Sequence, residues 1–174
     1  MINSPEETWQ KIDEENSRKE LFNLFAFPLF LLAVVMFFFS KISLFLNFNI
    51  INATFETIFM SVSFVCAFFI CKEIFRATKK KICKVELSEI QLDKSVIYAL
   101  SAILVVKTVA EFLNFPFLNI FWLYSAFIFW KVCDVILKQQ DNDEGREFFL
   151  VINTLSVICV PLIIEYLLLK LFIF

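Results

Sequence analysis

From residue 21 to its end the chain alternates long, nearly charge-free apolar runs with short polar segments. A run of about 20 apolar residues must satisfy its backbone internally, either inside a large core or as a helix across a bilayer. A core of the required size is out of reach. Sixty per cent of the 174 residues are hydrophobic and 25 are Phe, more apolar surface than one soluble domain of this length can hide. Five runs stand out, 21–39, 55–71, 96–113, 117–135 and 148–174, and none shows the period-2 alternation of a barrel strand. The expected fold is an all-α integral membrane protein, a bundle of about five transmembrane helices forming one domain behind a polar tail, 1–20.

The segment 72–95 divides the runs and carries seven of the sixteen Lys and Arg residues. Lys and Arg follow the cytosolic side of short loops. Counted from the N-terminal tail through the successive loops they number three, one, seven, none and three, the alternation five spans require. A cytosolic N-terminus, a cytosolic loop over 72–95 and a lumenal C-terminus follow, in a multi-pass membrane protein. The tail has no apolar core of a cleavable signal peptide; Ser4, Pro5 and Glu7 have the spacing of a helix N-terminus. The apolar link after the first run contains Asn52-Ala53-Thr54, a glycosylation sequon pressed against the second span. Pro28 is expected to kink the first span. Asn114, Phe115 and Pro116 leave room only for a tight hairpin between the third and fourth.

Several function classes lose their chemistry at once. Histidine is absent, which removes imidazole catalysis and His metal ligands. The five cysteines have no CxxC spacing and an odd count, so neither a disulfide framework nor a zinc site is expected. Cys66 and Cys159 read as packing residues; Cys71, Cys83 and Cys133 lie near span boundaries, where a palmitoyl group could attach. A net charge of -2 gives nucleic acid no footprint. No phosphate-binding glycine loop, protease motif or catalytic dyad is present, so the expectation is no enzyme and no cofactor.

Ionisable residues inside spans raise a functional hypothesis. Lys107 sits near the middle of the third run, Glu111 follows at i+4, and Glu165 lies at comparable depth in the fifth. The three form one intramembrane cluster if those helices pack together. Two readings stand: a proton or ion relay, or an interhelical tether whose outer members snorkel to the interface. One glycine in the whole chain argues against the broken, glycine-rich helices of a transporter. Lys131 and Asp134, at i and i+3, read as an interfacial salt bridge, with Trp130 as an anchor. Lys79, Lys80, Lys81 and Lys84 form a basic patch that can set topology, attract anionic lipid or dock a partner, diluted by Glu73, Glu86, Glu89 and Asp93.

The layout, with certain local stretches, resembles the Yip-domain family of Ypt/Rab-interacting membrane proteins. Ser95-Val96-Ile97-Tyr98 is similar to the family's stretch opening the third span, and Trp130 matches a recurrent Trp near the end of the fourth. Glu144-Gly145-Arg146 resembles the step before the last helix, and Pro28 with Asn23-Leu24 stands where the family has its Asp-Leu-x-Gly-Pro motif. The resemblance implies a non-enzymatic vesicle-transport factor of the early secretory pathway. Its implied partners are prenylated Rab-type GTPases and other Yip-type membrane proteins, met on the cytosolic face. Two other readings remain open. Ser61 to Phe64 and Cys71 to Phe75 are similar to the first hairpin of reticulon-type membrane shapers, although a fifth span would put the two termini on opposite sides. A small subunit of a membrane transporter or enzyme complex would share this layout.

Overall fold

The computed structural model describes residues 18–44, 50–78, 88–138 and 146–172, and every element among them is helical. Three helical residues, Arg18–Glu20, run into a π-helical segment, Leu21–Ala26, and then into α1, Phe27–Leu44. α2 spans Ile50–Thr78 and α3 spans Glu89–Phe112. A 3₁₀ segment, Pro116–Trp122, leads into α4, Leu123–Lys138, and α5 covers Arg146–Phe172. Four helices are long and apolar enough to cross a membrane, within 21–42, 50–78, 89–112 and 147–171. The chain is a multi-pass, all-α membrane bundle.

The run expected to supply a further span is built differently. α4 has 16 residues, about 24 Å at 1.5 Å per residue, and the seven 3₁₀ residues before it add about 14 Å at their steeper rise. Together they cover the distance the other helices cover. Pro116 at the first helical position explains the start, since it lacks the N–H that position leaves unsatisfied.

Contacts fix the direction of each traverse. The end of α1 meets the end of α3 through Lys41 and Glu111. Phe75 near the end of α2 meets Phe129 of α4 and Phe149 near the start of α5. Glu165 toward the end of α5 returns to Lys107 of α3. Arg18–Glu20 and Phe172 therefore lie at opposite ends of the bundle. The end holding Arg18–Glu20, Thr78 and Glu89 is termed the near end, and the other the far end. α3 is the hub, packed on every other helix, with Leu92 to Leu100 buried without interruption.

Pro28 does not break the first helix. Its missing N–H and its ring would disturb the bond to the carbonyl one turn back. The preceding turn widens instead, so that the N–H of Phe27 donates to the carbonyl of Phe22, five residues earlier. This wide turn seats Leu21 against Ile97 and Tyr98. The α3 terminus is a Schellman motif. The N–H of Phe115 donates to Ala110 O at 2.9 Å and that of Asn114 to Glu111 O at 3.1 Å, with Asn114 left-handed at φ 51°. The tight turn expected at 114–116 is present.

Small side chains bring α2 and α5 together. Ser63, Ala67 and Cys71, spaced by four, are fully buried, and the Cys71 thiol donates to Ser156 O at 3.6 Å. At the near end Phe75, Phe129 and Phe149 form a buried edge-to-face trio with centroids 4.8 and 5.7 Å apart.

Candidate functional site: two ionic layers

The polar side chains collect in two layers, one near each end. Between them the helices hold no charged residue from 21 to 40, 57 to 71, 95 to 106, 112 to 130 or 148 to 164.

In the far layer Lys107 of α3 pairs with Glu165 of α5. Lys41 of α1 lies 2.7 Å from Glu111 of α3 and 3.1 Å from Glu56 of α2. Phe37, buried, separates the two groups, its ring 5.0 Å from the Lys41 ammonium and 5.8 Å from that of Lys107. Lys107, Glu111 and Glu165 thus come to one end of the bundle, but as two ion-pair groups joined across an aromatic ring. Glu111 is taken by Lys41 rather than by its i+4 neighbour. α1 packs directly on α3, so Lys41 reaches Glu111 from outside the helix. With two lysines against three glutamates the layer is formally one charge acidic.

α3 begins at Glu89 rather than at 96, and Lys107 stands five residues from its C-terminal end at Phe112. It lies about 6 Å below Glu111 along the helix, within reach of a snorkelling lysine.

The near layer falls on the segment read as a cytosolic loop over 72–95. Both its arms are helical: α2 continues to Thr78 and α3 starts at Glu89. Lys72, buried, lies 2.5 Å from Asp93 and 3.2 Å from Glu89, and Arg76 bonds Glu89 at 2.7 Å and Glu73 at 2.5 Å. Asp93 has no exposed surface and Lys94 is 3% exposed. Asn153 of α5 donates to Thr78 Oγ1 at 3.0 Å and to Phe149 O at 2.7 Å. The N-terminus of α3 closes with a capping box: Ser88 Oγ accepts from the Gln91 N–H at 3.2 Å, and Gln91 Oε1 accepts from the Ser88 N–H at 3.1 Å.

The magnitudes decide what such an array can do. Asp93 and Lys107 are 14 residues apart, about 21 Å of helix, and Glu89 and Glu111 are 22 apart, about 33 Å. The outer members match the roughly 30 Å thickness of a hydrocarbon core. A relay would need ionisable groups within the intervening slab, and the sequence supplies none beyond Tyr and Cys. The serine hydroxyls of the charge-free ranges, Ser40, Ser61, Ser63, Ser95, Ser101, Ser125 and Ser156, donate to carbonyls three or four residues earlier. The geometry is an ion-paired layer at each end of a charge-free slab.

Sequence reasoning missed Lys41, Glu56, Lys72 and Asp93 as members of buried or half-buried ionic groups. The Ser-x-x-Gln capping signal at Ser88 was the available clue that α3 starts before 96 and carries Asp93 into the bundle. Lys79, Lys80, Lys81, Lys84 and Cys83 fall outside the described residues, as does the 1–17 part of the tail. Cys71, read as a palmitoylation candidate, is buried between α2 and α5 and closed to modification in this fold. Asn52 and Thr54 of the sequon belong to the first helical turn of α2, and the Thr54 hydroxyl is bonded to Ile50 O at 2.8 Å. Trp130 is exposed toward the near end of α4, where an interfacial anchor belongs. No protein-family model, curated protein or solved structure matches this chain.

Proposed function

We propose that this protein is a non-enzymatic membrane trafficking factor, a rigid five-crossing bundle that offers its near end to partners. The observation that carries the reading is the pair of ionic layers around a charge-free slab. Such a bundle resists sliding and rotation of its helices and carries no charged side chain in its middle. Work by this protein then falls to its end faces. By the Lys and Arg distribution the near end is cytosolic and the C-terminus lumenal.

The specific form of the role, early secretory pathway transport with prenylated Rab-type GTPases and sister Yip-type proteins as partners, draws on the resemblance of 95–98, Trp130 and 144–146. The positions of Arg18–Glu20 and Phe172 at opposite ends of the bundle speak against a reticulon-like pair of hairpins.

The test uses the full chain in phosphatidylcholine vesicles. Prenylated Rab-type GTPases are expected to bind on the outer face only when the near end faces out, and the vesicles are expected to conduct no ions above protein-free controls. Absence of binding by any prenylated GTPase tested would remove the trafficking reading. Proton or cation flux abolished by Glu165→Leu would replace it with transport.

A further inference from the structure

Pro161 divides α5 into two arms that are held very differently. A proline inside a helix supplies no N–H to the carbonyl four residues back, here Val157 O, and its ring crowds that carbonyl. In hydrocarbon no water replaces the missing bond. Sharp bends of long helices gather at such residues.

The arm before Pro161 is fastened along its length. Phe149, Leu150, Asn153 and Val157 are at most 2% exposed. Asn153 bonds Thr78 of α2, and Ser156 O accepts from the Cys71 thiol. The arm after Pro161 has far less to hold it. From 162 to 171 no side chain is buried, and Tyr166 and Leu171 are 63% and 74% exposed. Ile164 packs half-buried on the main core. Among the described residues the Lys107–Glu165 pair is this arm's one polar fastening. α3 itself is held independently, by Lys41–Glu111 from α1 and Lys72–Asp93 from α2.

We propose that 162–172 is a strap hinged at Pro161 and latched to α3 by the Lys107–Glu165 pair. Latched, it covers Lys107, which is 6% exposed. Released, it swings away from α3 and opens the far end of the seam between α3 and α5. The latched form is the ground state, because release leaves both charges without a partner. From Pro161 to Leu171 the strap is about 15 Å long, so a bend of about 25° carries its tip about 6 Å. Movement is confined to the far end while the near end of α5 stays in place.

Electron-resonance distances on the full chain in lipid nanodiscs test the strap. Spin labels attached to keto amino acids leave the native cysteines untouched. One label pair, at Leu113 and Leu171, spans α3 and α5 at the far end; a second, at Ile90 and Phe148, spans them at the near end. All four positions are exposed. Wild type is expected to give one narrow distance for each pair. Lys107→Leu combined with Glu165→Leu removes the latch without stranding a charge, and the two leucines gain little over lipid by touching. That variant should broaden the far distance and lengthen it by about 6 Å, with the near distance as in wild type. Adding Pro161→Ala restores the N–H to Val157 O and should return the far distance to its narrow form. If the double variant does not give a folded chain, Glu165→Gln, which removes one charge and keeps the side chain's size, decides by the same readings. An unchanged far distance overturns the latch. Equal widening of both pairs overturns the hinge, because the whole of α5 has then come away, and widening that persists after Pro161→Ala overturns it as well.

Discussion

The Lys107–Glu165 pair allows tether and relay to be separated by stability as well as by flux. Lys107 is 6% exposed and the Glu165 side chain 19% exposed, so each charge depends on the other for compensation. Removing one partner from a buried pair costs about 3–5 kcal/mol, because the survivor is left uncompensated. A lone charge at the centre of a transmembrane helix costs about 2.5–3.5 kcal/mol on insertion scales. The position of Lys107 five residues from the helix end favours the lower end, so Lys107→Leu or Glu165→Leu is expected to destabilise by about 3 kcal/mol, roughly a 150-fold shift in the unfolding equilibrium. Replacing both partners removes both charges, and the double leucine variant is expected within about 1 kcal/mol of wild type or above it. The assay is reversible unfolding of the detergent-solubilised chain by sodium dodecyl sulfate, followed by far-ultraviolet circular dichroism for all four members of the cycle. The coupling should restore about 3 kcal/mol on making the second substitution. Additive losses in the double variant would refute the tether, since two charges serving only each other cannot both be missed once both are gone.

Two further substitutions test the backbone devices that shape the bundle. Asn114 holds φ 51°, a conformation that asparagine tolerates and a β-branched residue does not. Asn114→Val should cost about 1–2 kcal/mol in the same unfolding assay while Asn114→Gly stays within a few tenths; equal losses would show that the side chain, not the backbone, is needed. Pro28→Ala restores an N–H able to reach Leu24 O and should draw the 21–26 segment into regular α-helix. That change rotates the preceding residues by about 100° and turns Leu21 out of its contact with Ile97 and Tyr98. Maleimide labelling of Leu21→Cys should therefore rise in the Pro28→Ala background, and unchanged labelling would mean that packing rather than proline holds the wide turn.

The apolar runs were legible because hydropathy reports the hydrocarbon that a segment can occupy. It does not report where the helix stops. α2 begins at Ile50 and continues through Lys72 and Arg76 to Thr78, although the apolar signal covers only 55–71. Charged residues do not end a helix when a neighbour supplies counter-charges, as Asp93 and Glu89 do here. The turn at 114–116 was legible because Asn and Pro dictate local dihedrals. The 3₁₀ course of 116–122 was not, because its apolar composition suits either helix type. The ionic residues themselves were visible as charges in apolar runs, but not their partners. Whether Glu111 meets Lys107 on its own helix or Lys41 on another depends on α1 packing against α3, and no periodicity in either segment encodes that choice.

The pairing pattern explains how a bundle with a single glycine achieves a fixed arrangement. In hydrocarbon, apolar side chains gain little by exchanging lipid for one another, so the slab between the layers says little about helix rotation or axial register. Polar contacts at the ends supply that information. Lys72–Asp93 sets α2 against α3, Lys41–Glu111 sets α1 against α3, Lys107–Glu165 sets α5 against α3, and Asn153–Thr78 sets α5 against α2. Three of these four meet on the hub helix. Sliding α3 by one turn, about 5.4 Å, would break all three pairs together. A rocking mechanism around α3 would have to pass through that state, with several charges left in the slab at about 2.5–3.5 kcal/mol each. The far layer therefore does more than anchor one helix to another. With the near layer it holds α3 against axial movement from both ends, while Glu73, Arg76 and Glu89 pair at the exposed rim of the near end.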